Sequence, residues 1–117
     1  MVTIGRKNIG SGKPVYVIAE IGFNHEGDVE LAEKMIQAAA ASGVDAVKFQ
    51  TFKASSLALE SAPHYALIKK GEMSLDDHIR LAKTAADNGV DFLSTPFCID
   101  SVDLLERTGV GAYKIAS

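Results

Sequence analysis

The chain of 117 residues has the length of one ordinary domain, and its 47% hydrophobic content supplies enough apolar surface for a core. A net charge of −3, with lysines scattered among acids, leaves no basic stripe of the kind that binds nucleic acid or an anionic membrane. No apolar run approaches the roughly 20 residues that span a bilayer, Met1-Val2-Thr3-Ile4 does not begin a signal peptide, and the single cysteine, Cys98, forms no internal disulfide, so a cytoplasmic, reducing setting is expected.

Residues 1–14 read as a short peripheral lead-in, and 15–117 as one partial domain. The apolar run Val15-Tyr16-Val17-Ile18 predicts a first buried strand, followed by the polar loop Ala19-Glu20-Ile21-Gly22-Phe23-Asn24-His25-Glu26-Gly27-Asp28. An acid, an amide, an imidazole and two glycines at the end of a strand are poor material for a plain turn and read as a site. Asp28 is placed to cap a first helix, whose Leu31, Ala32, Met35, Ile36, Ala39 and Ala40 recur at helical spacing up to a stop at Gly43.

The second strand, Asp45-Ala46-Val47-Lys48-Phe49-Gln50-Thr51, puts Ala46, Lys48 and Gln50 on one face and Val47 and Phe49 on the other. Lys53 to Met73 is too long for a tight connection and reads as an active-site loop with a short helix. Ser74-Leu75-Asp76-Asp77 is a capping box with Asp in place of Glu; the helix it opens carries Leu75, Ile79, Ala82 and Ala85 or Ala86 on its apolar face and ends at Asn88-Gly89. A third strand follows as Asp91-Phe92-Leu93-Ser94-Thr95-Pro96-Phe97. Asp100 or Ser101 caps a third helix with Val102 and Leu105 inward, and Gly111 to Ser117 reads as a fourth strand.

The order β-α-β-α-β-α-β implies a parallel α/β sheet, and four strands are about half of an eight-stranded TIM barrel. Gly-Val pairs at 43–44, 89–90 and 109–110 precede the later strands, and polar groups close each one. Glu20, Lys48 with Gln50, Thr95, and Lys114 with Ser117 thus share the carboxyl-end rim, where ligands bind in such folds. Without a neighbouring histidine, Cys98 reads as an inert thiol. His25 reads as a loop hydrogen-bonder, with metal ligation as the alternative, and His64 and His78 as surface residues. A half barrel leaves open edges and uncovered apolar faces, so the isolated chain is expected to dimerise, aggregate or stay molten.

Four blocks, Ala-Glu-Ile-Gly-Phe-Asn-His-Glu-Gly at 19–27, Val-Lys-Phe-Gln-Thr-Phe at 47–52, Ser-Thr-Pro-Phe at 94–97 and Ala-Tyr-Lys-Ile-Ala-Ser at 112–117, resemble the N-acetylneuraminate (sialic acid) synthase family, in that family's order. The resemblance implies a transferase of sialic acid biosynthesis that condenses phosphoenolpyruvate with an N-acylated sugar such as N-acetylmannosamine, releasing phosphate. It implies that Lys48, Thr95, Lys114 and Ser117 hold phosphoenolpyruvate, that Glu20 sits at the reacting carbons and that Gln50 contacts the sugar. It further implies a homodimer when full length and a divalent metal, usually manganese, whose histidine ligands belong to the second half of the barrel and not to this chain. The family's sugar-binding asparagine has no counterpart between Lys53 and Met73, which leaves the acyl-sugar open, since relatives making legionaminic or pseudaminic acid differ there. Two other readings stand beside this one: a Schiff-base aldolase using Lys48 or Lys114, and a non-catalytic half-barrel that binds small phosphorylated ligands.

Overall fold

The computed structural model describes residues 1–117. Its centre is a three-stranded parallel sheet in the order β3 (Ile18–Gly22), β4 (Ala46–Thr51), β5 (Asp91–Pro96), preceded by an antiparallel hairpin of β1 (Val2–Ile4) and β2 (Lys7–Ile9). Helices α1 (Val29–Ala41), α4 (Leu75–Asp87) and α5 (Ile99–Thr108) pack beside one another along the sheet. The short α2 (Ala54–Leu57) and α3 (Tyr65–Lys70) fill the connection after β4, where one short helix was expected. No helix is long and apolar enough to cross a membrane.

The caps act as the sequence implies. Asp28 accepts from the Leu31 amide at 3.0 Å, and Ser74 and Asp77 form the reciprocal capping box of α4. Period-two alternation sends Val47, Phe49 and Phe92 toward the helices, where they meet Ile36, Leu81 and Leu105 in the core. Phe49 and Phe92 stack with ring centroids 5.2 Å apart.

Three expectations about element bounds and faces are corrected. The first strand is Ile18–Gly22, not the apolar run at 15–18, so Glu20 lies within the strand instead of beyond it. Pairing with β4 decides the register: Ile18 lies opposite Ala46 and Glu20 opposite Lys48, while Val15 and Val17 stay 83% and 47% exposed. The buried stripe of α4 is His78, Leu81 and Ala85; Ile79 is exposed. α5 begins at Ile99, with Cys98 in the N-cap position and no side-chain cap, and the expected cap Ser101 is buried with its hydroxyl 3.1 Å from Cys98 Sγ.

The fourth strand does not form. Residues 111–117 touch β5 through a single parallel bridge, Ser94 to Tyr113, with the Lys114 amide donating to the Ser94 carbonyl at 3.3 Å. One bridge does not make a ladder, and Ile115 is exposed.

The lead-in carries the β1–β2 hairpin, which is docked on the domain. Lys7 Nζ lies 2.6 Å from Asp45 Oδ1, and Asp45 Oδ2 accepts from the Val17 amide. Tyr16 donates its hydroxyl to Asp91 Oδ2 at 2.5 Å; burial and the Asp91 bond push its phenol well above the ordinary range. The Lys7 bond ties the hairpin, and the Tyr16 and Val17 bonds tie the segment that follows it, to the amino ends of β4 and β5, the end opposite the rim.

Candidate functional site

β3 and β4 are in register at Glu20 and Lys48, and side chains directly opposite on parallel strands share a face. Their charged ends meet, with Lys48 Nζ 2.8 Å from Glu20 Oε2. The Lys48 side chain is only 17% exposed, whereas Glu20 is about half exposed. A lysine in that position is costly without an anion, and Glu20 supplies one.

Gln50 and Thr95 are register partners on β4 and β5, one step nearer the carboxyl end on the same face as Lys48. A Cβ placed on Gly22 would lie 3.6 Å from both Gln50 Nε2 and Glu20 Oε1 and 3.7 Å from Asn24 Nδ2. The missing side chain at position 22 therefore leaves a small space bordered by a carboxylate and two amides. Asn24 is fixed there by donating to the Ile21 carbonyl at 2.8 Å.

The structure thus brings together Glu20, Lys48, Gln50 and Thr95 at the carboxyl end of the sheet. It does not bring Lys114 or Ser117 into that group: Lys114 Nζ donates to the Ile115 carbonyl at 2.6 Å, and Ser117 is exposed at the terminus. The largest cavity, about 270 Å³, opens elsewhere, at the amino end between the hairpin, Asp91 and Gly109. The rim carries more unspent chemistry, because Asp45, Asp91, Lys7 and Tyr16 at the amino end already satisfy one another.

His25 is fully buried and accepts from the Gly27 amide at Nδ1, 2.9 Å away, as a loop hydrogen-bonder does. Its Nε2 is the one buried side-chain nitrogen or oxygen without a partner. No three His, Cys, Asp or Glu side chains are grouped so as to hold a metal ion. His64 is exposed, as expected.

His78 is a correction, for it is buried and fully bonded. Nδ1 lies 2.7 Å from the Ser74 carbonyl and Nε2 2.9 Å from Thr51 Oγ1, which in turn lies 2.7 Å from Ser94 Oγ. Thr51 and Ser94 are the immediate neighbours of Gln50 and Thr95, and neither was singled out from the sequence. The available signal was helical spacing, since His78, Leu81 and Ala85 form one stripe.

Burial pushes both imidazoles below their ordinary value of 6.5; in His25 the nearby His78 adds to it, and in His78 the Ser74 carbonyl and Asp77 oppose it. An unfolded chain takes up these protons first as pH falls. Stability is therefore complete above the unfolded value and is lost as pH drops from 6.5 through the lower folded values. The urea midpoint is expected to fall between about pH 7.5 and about pH 5, and a His25→Phe, His78→Phe double variant is expected to flatten that slope. An unchanged slope in the double variant would assign the effect to carboxylates.

The model of the NeuB family matches residues 35–117. The chain is 42% identical over 127 aligned residues to the N,N'-diacetyllegionaminic acid synthase of Legionella pneumophila, covering 97% of this chain and 36% of that protein. It is 36% identical to the pseudaminic acid synthase of Campylobacter jejuni, covering 94% of this chain and 36% of the relative. Among solved structures, the N-acetylneuraminic acid (sialic acid) synthetase of Leptospira borgpetersenii in complex with citrate superposes with a TM-score of 0.92 at 33% identity, covering 97% of this chain and 40% of that one. The chain thus spans about a third of the length of the curated relatives it matches, and its parallel sheet and helices form part of the barrel those synthases share.

Proposed function

The chain belongs to the NeuB family, and on that premise we propose that it carries the phosphoenolpyruvate side of a sialic-acid-type synthase, which joins phosphoenolpyruvate to an N-acylated sugar and releases phosphate to give a nonulosonic acid. The observation that carries this reading is the Glu20–Lys48 pair, 2.8 Å apart and flanked by Gln50 and Thr95 at the carboxyl end of a parallel sheet.

In the proposed reaction, C3 of phosphoenolpyruvate attacks the sugar's carbonyl carbon, water adds at C2, and the tetrahedral C2 expels phosphate with cleavage of the carbon–oxygen bond. Lys48 meets the ligand's negative charge by a charge-assisted hydrogen bond, and the Thr95 hydroxyl orients the same group. Lys114 and Ser117, the second ammonium and hydroxyl that the family resemblance implies, stand outside this group in the structure, with Lys114 Nζ on the Ile115 carbonyl, and no step here is assigned to them. Glu20 exchanges a proton with the attacking water or with the oxygen of the sugar carbonyl. Gln50 donates to or accepts from the sugar. The family's divalent metal finds no fitting set of ligands among these residues, and no step here is routed through it.

The test is phosphate release by the whole natural protein given phosphoenolpyruvate, N-acetylmannosamine or a diacetylated hexosamine, and manganese. Phosphate is expected in step with a product bearing a new carbon–carbon bond. Saturable phosphoenolpyruvate binding without turnover on any acyl-sugar would favour a non-catalytic binding role. A covalent mass increase after borohydride and pyruvate would favour a Schiff-base aldolase using Lys48 or Lys114.

A further inference from the structure

Behind the rim, a buried line of side chains runs from β5 through β4 to the start of α4, and its proton directions follow from chemistry. The Ser74 carbonyl is only an acceptor, so His78 Nδ1, at 2.7 Å, carries a proton. In the neutral ring that burial favours, Nε2 is then a lone pair and accepts from the Thr51 hydroxyl at 2.9 Å. Thr51 has spent its one proton, so the hydroxyl of Ser94, 2.7 Å away, donates to it.

All three side chains are essentially closed to solvent, at 0% exposure for Ser94 and 2% for Thr51 and His78. Leucine, valine and alanine would fill the same volume without demanding hydrogen bonds. What the polar version adds is direction, because each link has one partner and one geometry. The line joins two strands and a helix at the level of the register pairs Phe49–Ser94 and Gln50–Thr95. Alternation along each strand turns Thr51 and Ser94 toward the helices and their neighbours Gln50 and Thr95 toward the opposite face.

We propose that Ser94, Thr51 and His78 are positioning residues, a hydrogen-bonded relay that anchors the carboxyl ends of β4 and β5 to the N-terminus of α4 and so holds Gln50 and Thr95 in place for their ligands. The inference rests on the reading above that these two side chains bind phosphoenolpyruvate and the sugar. Thr51→Val removes the middle link at nearly constant volume and strands both neighbours. The triple variant His78→Leu, Thr51→Val, Ser94→Ala removes every polar partner at once.

In the whole natural protein, Thr51→Val is expected to weaken phosphoenolpyruvate binding roughly 10- to 100-fold, the scale of a small misplacement of binding groups, and to speed amide exchange at Gln50 and Thr95. The triple variant is expected to melt near the parent temperature and still bind weakly, with fast exchange at both positions. A purely structural role predicts that affinity and exchange return together with the melting temperature, and that result would overturn the proposal. Lys48→Met separates the two questions. If it leaves phosphoenolpyruvate binding unchanged, the ligand reading fails and the relay is judged on exchange alone: faster exchange at 50 and 95 in both variants upholds it, and parental rates reject it.

Discussion

Glu20→Gln and Lys48→Met, made in the whole natural protein, are expected to move binding and turnover in opposite ways. The largely buried Lys48 has its ammonium 2.8 Å from Glu20, its one ion-pair partner. A ligand carboxylate or phosphate arriving there competes with that carboxylate. Removing the ammonium takes away a charge-assisted bond of about 1.5–3 kcal/mol, so phosphoenolpyruvate is expected to bind roughly 10- to 100-fold more weakly to Lys48→Met. Neutralising Glu20 removes the competitor, so Glu20→Gln is expected to bind phosphoenolpyruvate at least as tightly as the parent.

Turnover behaves differently, because Gln cannot exchange a proton with water or a sugar oxygen. The loss of a general acid–base group predicts a fall in kcat of about 10²- to 10⁴-fold for Glu20→Gln. Titration calorimetry and phosphate release, measured on the same preparations, check both halves. If Glu20 served only as counter-ion to Lys48, Glu20→Gln would keep kcat within a few-fold, and its effect would be confined to the stability of a half-exposed pair, which is about 1 kcal/mol or less.

Much of this site was legible because its signals are local. Asp28, Ser74 with Asp77, and Gly43 mark helix ends through bonds to atoms within a few residues, and all three hold. That Glu20 and Lys48 share the carboxyl-end rim was legible from placing both at strand ends, yet the strand carrying Glu20 was misplaced. The apolar run at 15–18 has the composition of a strand, but its backbone is spent on Asp45: Val17 accepts from the Asp45 and Ala46 amides and donates to the Asp45 side chain. Which stretch pairs with β4 is settled by contacts 28 residues away in the chain, which local composition does not record.

His78 was missed for a related reason. Polarity argues for the surface only while a polar atom lacks a partner, and both of its nitrogens have one, in Ser74 and in Thr51. The segment 111–117 failed in the other direction. Its strand-like composition yields one bridge to β5, Ser94 to Tyr113, and no second pair to extend it into a ladder. Repeat spacing predicts where a strand belongs, while pairing decides whether one forms.

Gly27→Ala is expected to disrupt the rim more than any other single methyl addition. The loop carrying Asn24 and His25 passes so close to the end of α3 that a Cβ on Gly27 would lie 1.9 Å from the Lys70 carbonyl oxygen and 3.1 Å from its carbon. Both sides of that contact are backbone, so no rotamer relieves it. On the neighbouring residue the fit is again tight: a Cβ on Gly71 would lie 2.9 Å from the Phe23 ring, which meets Phe52 edge to face. Glycine at 27 also has φ of +82°, which costs alanine about 1–2 kcal/mol by itself. Gly43 isolates that cost, since its φ is +87° and nothing lies within 4 Å of a Cβ there.

Gly43→Ala is therefore expected to lose about 1–2 kcal/mol in urea unfolding, and Gly27→Ala a further 1–3 kcal/mol or so from overpacking. The added loss has a functional side. To admit the methyl group the two loops must part, which moves the chain between Glu20 and the N-cap Asp28. Weaker phosphoenolpyruvate binding is then expected in Gly27→Ala and not in Gly43→Ala. Equal losses of stability in the two variants, with parental binding in both, would show that the loops separate freely and that their contact does not shape the site.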